Sequence, residues 1–175
     1  EDLAACPENK LLKLWEGLGY YNRVKNMQKA AKEIVLKYNK EIPADYEKIL
    51  ALPGIGSYTA GAVSSIAFGL KKPAVDGNVL RVISRITENG DDILKQSVKK
   101  RVEQELEAVM PEDRPGAFNQ SLMELGATVC IPNGMAKCSD CPVSHLCKAR
   151  ANGTVLEYPK KASKKKRRIE EKTVL

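Results

Sequence analysis

An all-α fold is predicted by three observations. Apolar residues recur at three- and four-residue intervals through most of the chain, no segment alternates convincingly with a period of two, and the periodic stretches are separated by breaks rich in Gly, Pro or Asn. Leu11, Leu12, Leu14, Trp15 and Leu18 crowd a first short helix, which the Gly17-Leu18-Gly19 step ends. Val24, Met27, Ala31, Ile34 and Tyr38 share one face of a second helix of about four turns, closed by the break from Asn39 to Pro43. A short helical turn follows over Tyr46 to Leu50, interrupted by Leu52-Pro53-Gly54-Ile55-Gly56. The segment Tyr58 to Phe68 is rich in Ala, Ser and Gly, small residues that let a helix approach its neighbour closely. Val98, Val102, Leu106 and Val109 mark a further amphipathic helix, and Phe118, Leu122, Leu125 and Val129 one more before a cluster of cysteines. About seven short helices and essentially no sheet are expected, with no internal repeat.

The composition, 43% hydrophobic and 29% charged over 175 residues, reads as a soluble globular chain. No run approaches the roughly 18 apolar residues of a membrane span, and EDLAACPENK has no signal-peptide character, which argues against a membrane or secreted protein. The net charge of +7 is uneven. Residues 160–175 hold eight basic and two acidic side chains, net +6, leaving 21 basic against 20 acidic, or +1, for residues 1–159. The body is therefore nearly neutral, and composition alone does not make it a nucleic-acid binder. The tail KKASKKKRRIEEK has too few apolar residues to join a core and reads as a linker or disordered end.

Four of the five cysteines fall within eighteen residues, as Cys130-x7-Cys138-x2-Cys141-x5-Cys147 on a loop with Pro132, Gly134 and Pro142. Such a cluster points to a metal site in a reducing compartment and not to a disulfide framework. Four thiolates on short spacers hold either a tetrahedral zinc or an iron–sulfur cube, and spacing alone does not decide; uneven gaps with only one CxxC step favour the cube. His145 lies inside this loop and reads as solvent-facing or as a neighbour of the ligands, and Cys6 as an isolated thiol.

Leu52 to Gly56 forms a turn between two helical segments. Gly54 and Gly56 can adopt positive φ and leave backbone amides uncovered, while Ser57 or Thr59 opens the next helix. This presents N–H donors and the positive end of a helix to an anion such as a DNA phosphate, although an ordinary helix–helix turn has the same outline. In Pro73-Ala74-Val75-Asp76-Gly77-Asn78, an acid sits just before a helix: an N-cap by position, or a carboxylate facing a cleft where it stabilises a developing cation. In Trp15 to Arg23, adjacent Tyr20 and Tyr21 leave a glycine break, where an aromatic ring can wedge between bases or fill a core gap.

Together WEGLGYYNR (15–23), LPGIGSYTAGAV (52–63), AVDGNVLRV (74–82), GAFNQSLMELGATVC (116–130) and the cysteine loop to Cys147 resemble the helix-hairpin-helix DNA glycosylases of the endonuclease III superfamily, most closely the MutY-type adenine branch. The resemblance implies a helix-hairpin-helix glycosylase fold with an iron–sulfur cluster loop: a helical domain at 1–115 with the hairpin at about 46–68 and a catalytic Asp loop, a cluster region at 116–159 and a basic tail at 160–175. It implies a [4Fe-4S] cluster on Cys130, Cys138, Cys141 and Cys147, and as partner double-stranded DNA with adenine mispaired with 8-oxoguanine or guanine. Asp76 takes the role of catalytic aspartate, helped by Asn78 and Tyr58. Leu52, Gly54, Ile55, Gly56, Ser57 and Thr59 make up the DNA-gripping hairpin, and Tyr20, or else Tyr21, inserts beside the lesion. Tyr58 stands where bifunctional relatives carry a nucleophilic lysine, so hydrolysis without strand cleavage is expected. A monomer in the cytoplasm or nucleoid of a bacterium, or in a eukaryotic nucleus or mitochondrion, is implied.

Two departures stand out. The first cysteine gap is seven residues against the family's six, an insertion that Asn133-Gly134 can absorb. The chain also begins after the region where the family carries an adenine-protonating glutamate and a glutamine-rich stretch, and stops near the linker to an 8-oxoguanine-reading domain. A fragment that binds DNA but excises adenine poorly is expected. The competing readings are an endonuclease III-like enzyme for oxidised pyrimidines or G:T mismatches, and a non-catalytic DNA-binding module with structural zinc.

Overall fold

The computed structural model describes residues 1–132 and 134–162; Asn133 and nearly all of the basic tail lie outside the described residues. Among the described residues all regular structure is helical: α1 (Asp2–Ala5), α2 (Glu8–Leu14), α3 (Tyr21–Lys37), α4 (Tyr46–Leu50), α5 (Ser57–Phe68), α6 (Gly77–Thr87), α7 (Gln96–Val109) and α8 (Pro115–Glu124), which runs into a π-helical turn (Leu125–Val129), then α9 (Lys148–Ala151) flanked by 3-10 turns at Ser144–Leu146 and Val155–Glu157.

The amphipathic face of α6 organises the core. Val75, Val79 and Leu80 pack with Ile93, Val102 and Leu106, and Ile83, Phe118, Leu122 and Met123 close over them. Each such side chain withdrawn from water contributes about 1.5–3 kcal/mol. The α7 periodicity holds for Val98, Val102 and Leu106, whereas Val109, at the helix end, is exposed. Along α5 the small residues Ala60, Gly61, Ser64 and Ser65 are buried, and the helix packs on α4 before it and α8 after it. A Cβ at Gly61 would collide with the Pro73 carbonyl, so only glycine lets α5 approach the segment leading to Asp76.

That segment is clamped from α8. Asn119, 1% exposed, accepts from the Ala74 N–H at 3.0 Å and donates to the Lys72 carbonyl at 2.9 Å and to Ser65 Oγ at 2.7 Å. At the other end of the molecule, α3 carries α1 and α2 on one side; buried Gln28 donates to the carbonyls of Leu3 and Cys6. The helix marked by the leucine pattern is α2, which ends at Leu14, with Leu14 and Leu18 exposed; α1, ahead of it, was not expected.

Candidate functional site

The hairpin joins α4 to α5. Asp45 caps α4 by accepting from the Lys48 N–H at 3.0 Å, and Ile49 and Leu52 anchor the turn in the core. Gly54 adopts φ +78°, the left-handed region open to glycine, and a Cβ there would sit 2.6 Å from Asn26 Cβ on α3. Gly56 differs from expectation: it is extended, at φ −104°, and serves as the N-cap of α5. Without a side chain it caps nothing, so the first-turn amides of Ser57, Tyr58 and Thr59 keep no partner among the described residues. Leu52 and Ile55 spend their own amides inside the turn, Leu52 on the Ile49 carbonyl and Ile55 on the Leu52 carbonyl, both at 3.1 Å. The donors presented to an anion are thus those around Gly56 and the start of α5, and Leu52 is an anchor.

Asp76 meets the first of its two sequence descriptions, the N-cap of α6. One carboxylate oxygen accepts from the Val79 N–H at 2.8 Å and caps α6, while the other accepts from Asn78 Nδ2 at 2.9 Å. Asn78 Oδ1 in turn accepts from Arg81 Nη2 at 3.0 Å, and the same guanidinium donates to the Gly126 carbonyl at 2.7 Å and the Cys130 carbonyl at 2.8 Å. Gly126, in the π turn, leaves room for this: a Cβ there would lie 2.7 Å from Asn78 Cβ. A continuous chain of hydrogen bonds therefore joins Asp76 to the first cysteine. Tyr58 stands apart from it, half-exposed, its hydroxyl donating to Met123 Sδ at 3.6 Å.

The glycine step before α3 holds Tyr20 outward. Gly17 and Gly19 are left-handed, as is Tyr20 itself at φ 48°; Trp15 Nε1 donates to the Gly19 carbonyl at 2.9 Å. The Tyr20 ring is 82% exposed against 44% for Tyr21, which makes Tyr20 the projecting ring of the pair.

All four clustered cysteines line one small cavity of about 30 Å³ between α6, the π turn and the loop. Among the described residues no three His, Cys, Asp or Glu side chains gather at one point to hold a single ion. Burial pushes the Cys141 thiol up, an effect that the Val143 N–H reduces and the neighbouring Cys130, Cys138 and Cys147 reinforce. Arg85 Nη1 donates to Cys130 Sγ at 3.3 Å and to the Ile131 carbonyl at 3.0 Å. Arg81 and Arg85 are buried yet pair with no carboxylate among the described residues. Burial lowers the Arg81 pKa, Cys130 opposes that, Arg85 adds to it and Asp76 opposes it. A buried cation, Arg85, that lines the cysteine cavity and donates to one of its sulfurs fits an anionic metal–thiolate group. His145 is exposed, and Cys6 stands alone beside the Pro7 carbonyl.

The spacing rules had singled out neither Arg81, Arg85, Gly126 nor Asn119. The signal available was the i, i+3 and i, i+4 series of Asn78, Arg81 and Arg85 on a single helix face.

A family model described as HhH-GPD superfamily base excision DNA repair protein matches residues 1–112. The chain is 43% identical to a human adenine DNA glycosylase over 151 residues, 86% of this chain and 28% of the relative. It is 36% identical to one from Buchnera aphidicola subsp. Baizongia pistaciae over 165 residues, 94% of this chain and 46% of the relative. The chain thus spans less than half the length of these relatives. A thermostable thymine-DNA glycosylase has a similar structure, with TM-score 0.75 and 29% identity over 86% of this chain and 69% of that one. An endonuclease III seen in a non-covalent DNA complex is also similar, with TM-score 0.72 and 31% identity over 87% and 69%. The chain belongs to the HhH-GPD superfamily of base excision DNA repair proteins.

Proposed function

We propose that the chain carries the catalytic core of an adenine DNA glycosylase, acting on adenine mispaired with 8-oxoguanine or guanine in duplex DNA. The observation that carries this is the doubly held carboxylate of Asp76, placed at the head of α6 by the cap to Val79 and by Asn78. The similarity to adenine DNA glycosylases supplies the choice of adenine. Free amides at Gly56 to Thr59 take a backbone phosphate, and Tyr20 enters the stack beside the mispair. Rotating the adenine out costs a few kcal/mol, less where the pair is already mismatched.

Breaking the N-glycosidic bond sends its electron pair to adenine and leaves positive charge on the sugar. Asp76 stabilises that oxocarbenium-like state, as carboxylates do in glycoside hydrolysis. Water then supplies hydroxyl to the sugar carbon and, in balance, a proton to the base. With Tyr58 and no lysine at the hairpin position, the product is an intact strand with an abasic site. Asn78 holds Asp76, and Tyr58, bound to Met123, shapes the wall beside the hairpin.

Cys130, Cys138, Cys141 and Cys147 would hold a [4Fe-4S] cluster. Their uneven spacing, with only one CxxC step, and their shared place around one cavity support a cube over a single tetrahedral ion. These four residues would hold the cluster, which would tie the loop together and supply negative charge beside the buried Arg85. Thiolate ligands suit an intracellular, reducing compartment.

The test is single-turnover cleavage of a duplex with one adenine:8-oxoguanine pair, developed with alkali, for the protein and its Asp76→Asn variant. Asn retains the cap, so folding and duplex binding should stay within about threefold while excision falls by roughly a hundredfold or more. Excision that survives Asp76→Asn overturns the assignment, and a covalent adduct trapped by borohydride overturns the hydrolytic mechanism.

A further inference from the structure

Three observations meet on Arg23, one turn into α3. First, its guanidinium carbon stands 5.6 Å from the centroid of the Tyr20 ring, and its backbone N–H donates to the Tyr20 carbonyl at 2.7 Å. A cation over an aromatic face restrains a ring that is otherwise open to solvent on a left-handed residue. Second, the Arg23 side chain is exposed and pairs with no carboxylate among the described residues, whereas Lys25 and Lys37 on the same helix are bound to Glu8 and Glu33. Third, Arg23 shares one groove with Asn26, Gly54 and Thr59, and α3 is seated on the hairpin where Asn26 meets Gly54. The spacing Tyr20, Arg23, Asn26 thus leads by threes from the projecting ring to the amide-bearing turn.

We infer that Arg23 is a further DNA-contacting residue: its guanidinium takes a backbone phosphate between the Tyr20 wedge and the hairpin while bracing the Tyr20 ring from the side. The inference rests on the proposed binding of duplex DNA. Arginine suits both tasks, because the planar fork matches two phosphate oxygens and its flat face stacks on an aromatic ring, neither of which an ammonium does as well. The ligand is a phosphodiester because the flanking elements are a stacking ring and a row of amide donors, the two features that bases and phosphates require of a surface. A loose carboxylate or free phosphate would engage the cation but leave the ring without a partner.

Duplex binding, measured by anisotropy across a salt series on DNA with one adenine mispair, decides the matter. The set comprises wild type, Arg23→Met, Arg23→Lys, Tyr20→Leu, the Arg23→Met/Tyr20→Leu double variant and a Gly54→Val hairpin control. Arg23→Met should weaken binding roughly tenfold and lower the slope of log K against log salt by about 0.9, one phosphate. Its thermal midpoint should be unchanged, since the side chain is exposed. Arg23→Lys should keep the slope, and Tyr20→Leu should cost less in the Arg23→Met background than alone, which reports the brace. An unchanged slope in Arg23→Met overturns the phosphate contact, and strictly additive effects overturn the brace. A wild-type protein that binds no DNA overturns both this inference and the proposed function. Wild-type binding that falls in Gly54→Val but not in Arg23→Met overturns this inference alone.

Discussion

The two ends of α6 are held by different physics. At its N-terminus Val75, Val79 and Leu80 sink into the apolar core, Asn119 clamps the incoming backbone and α5 presses on Pro73 through Gly61. At its C-terminus the neighbours are the cysteine loop and one-turn helices, and among the described residues after Gly126 only Ala149 is buried. Polar contacts carry more of the load there: buried Arg85 donates to the Ile131 and Tyr158 carbonyls, and Glu88, left-handed at φ 56°, accepts from Asn152 at 2.7 Å and from Thr154. One end of the helix is held mainly by the hydrophobic effect and the other by hydrogen bonds to the loop, so the carboxylate proposed as catalytic sits on the self-sufficient end.

The largest expected effect strikes that end. Gly61→Ala drives a methyl into the Pro73 carbonyl, with no flexible side chain to yield, and should cost about 3 kcal/mol or more in urea unfolding. Asn119→Ala comes next at about 2–3 kcal/mol, because the Ala74 N–H and the Lys72 carbonyl lose their buried partner. Both changes should act on the whole cooperative transition, and a purely local loss in either would contradict the view of this end as core.

At the other end, chemical removal of the proposed cluster should leave far-UV circular dichroism largely intact. Amide exchange over residues 138–157 should quicken at least about tenfold while α5 and α7 keep their protection. Global unfolding on removal would show instead that the loop end supports the core. Glu88→Gln gives the smallest and most local effect. Hydrogen bonds from Thr154 and then Asn152 hold the Glu88 carboxylate below its ordinary 4.5. A depressed folded pKa contributes stability above the unfolded value and loses it as pH falls through the folded one. The small midpoint gap between wild type and Glu88→Gln should therefore be constant at neutral pH and close below about pH 4.5. A gap that widens on acidification would show that the carboxylate is not what holds this turn.

Local rules carried far in the first region. The Tyr46–Leu50 turn and the α5 boundary were legible because caps and glycines act within a few residues, and the Asp76 cap is a three-residue event. Gly56 departed from expectation because glycine permits positive φ without requiring it; the neighbouring Gly54, packed on Asn26, already supplies the turn. Leu18 and Val109 fitted a helical period but face solvent, since periodicity names a face and not what covers it. The π turn at Leu125–Val129 was not legible, because it is set by the approach of Gly126 to Asn78, 48 residues away in sequence.

The sequence by itself determined the helical class and the order of the hairpin, the aspartate and the cysteines, because spacing and backbone chemistry act locally; that Tyr20 projects outward came only from the structure. Only the tertiary structure decided that Asp76 reaches Cys130 through Asn78 and Arg81, that buried Arg85 donates to the Cys130 sulfur, and that Arg23 lies beside the Tyr20 ring in a groove shared with the hairpin. Those relations join residues distant in sequence, and burial, which makes each unpaired charge costly, becomes known only once the helices are packed.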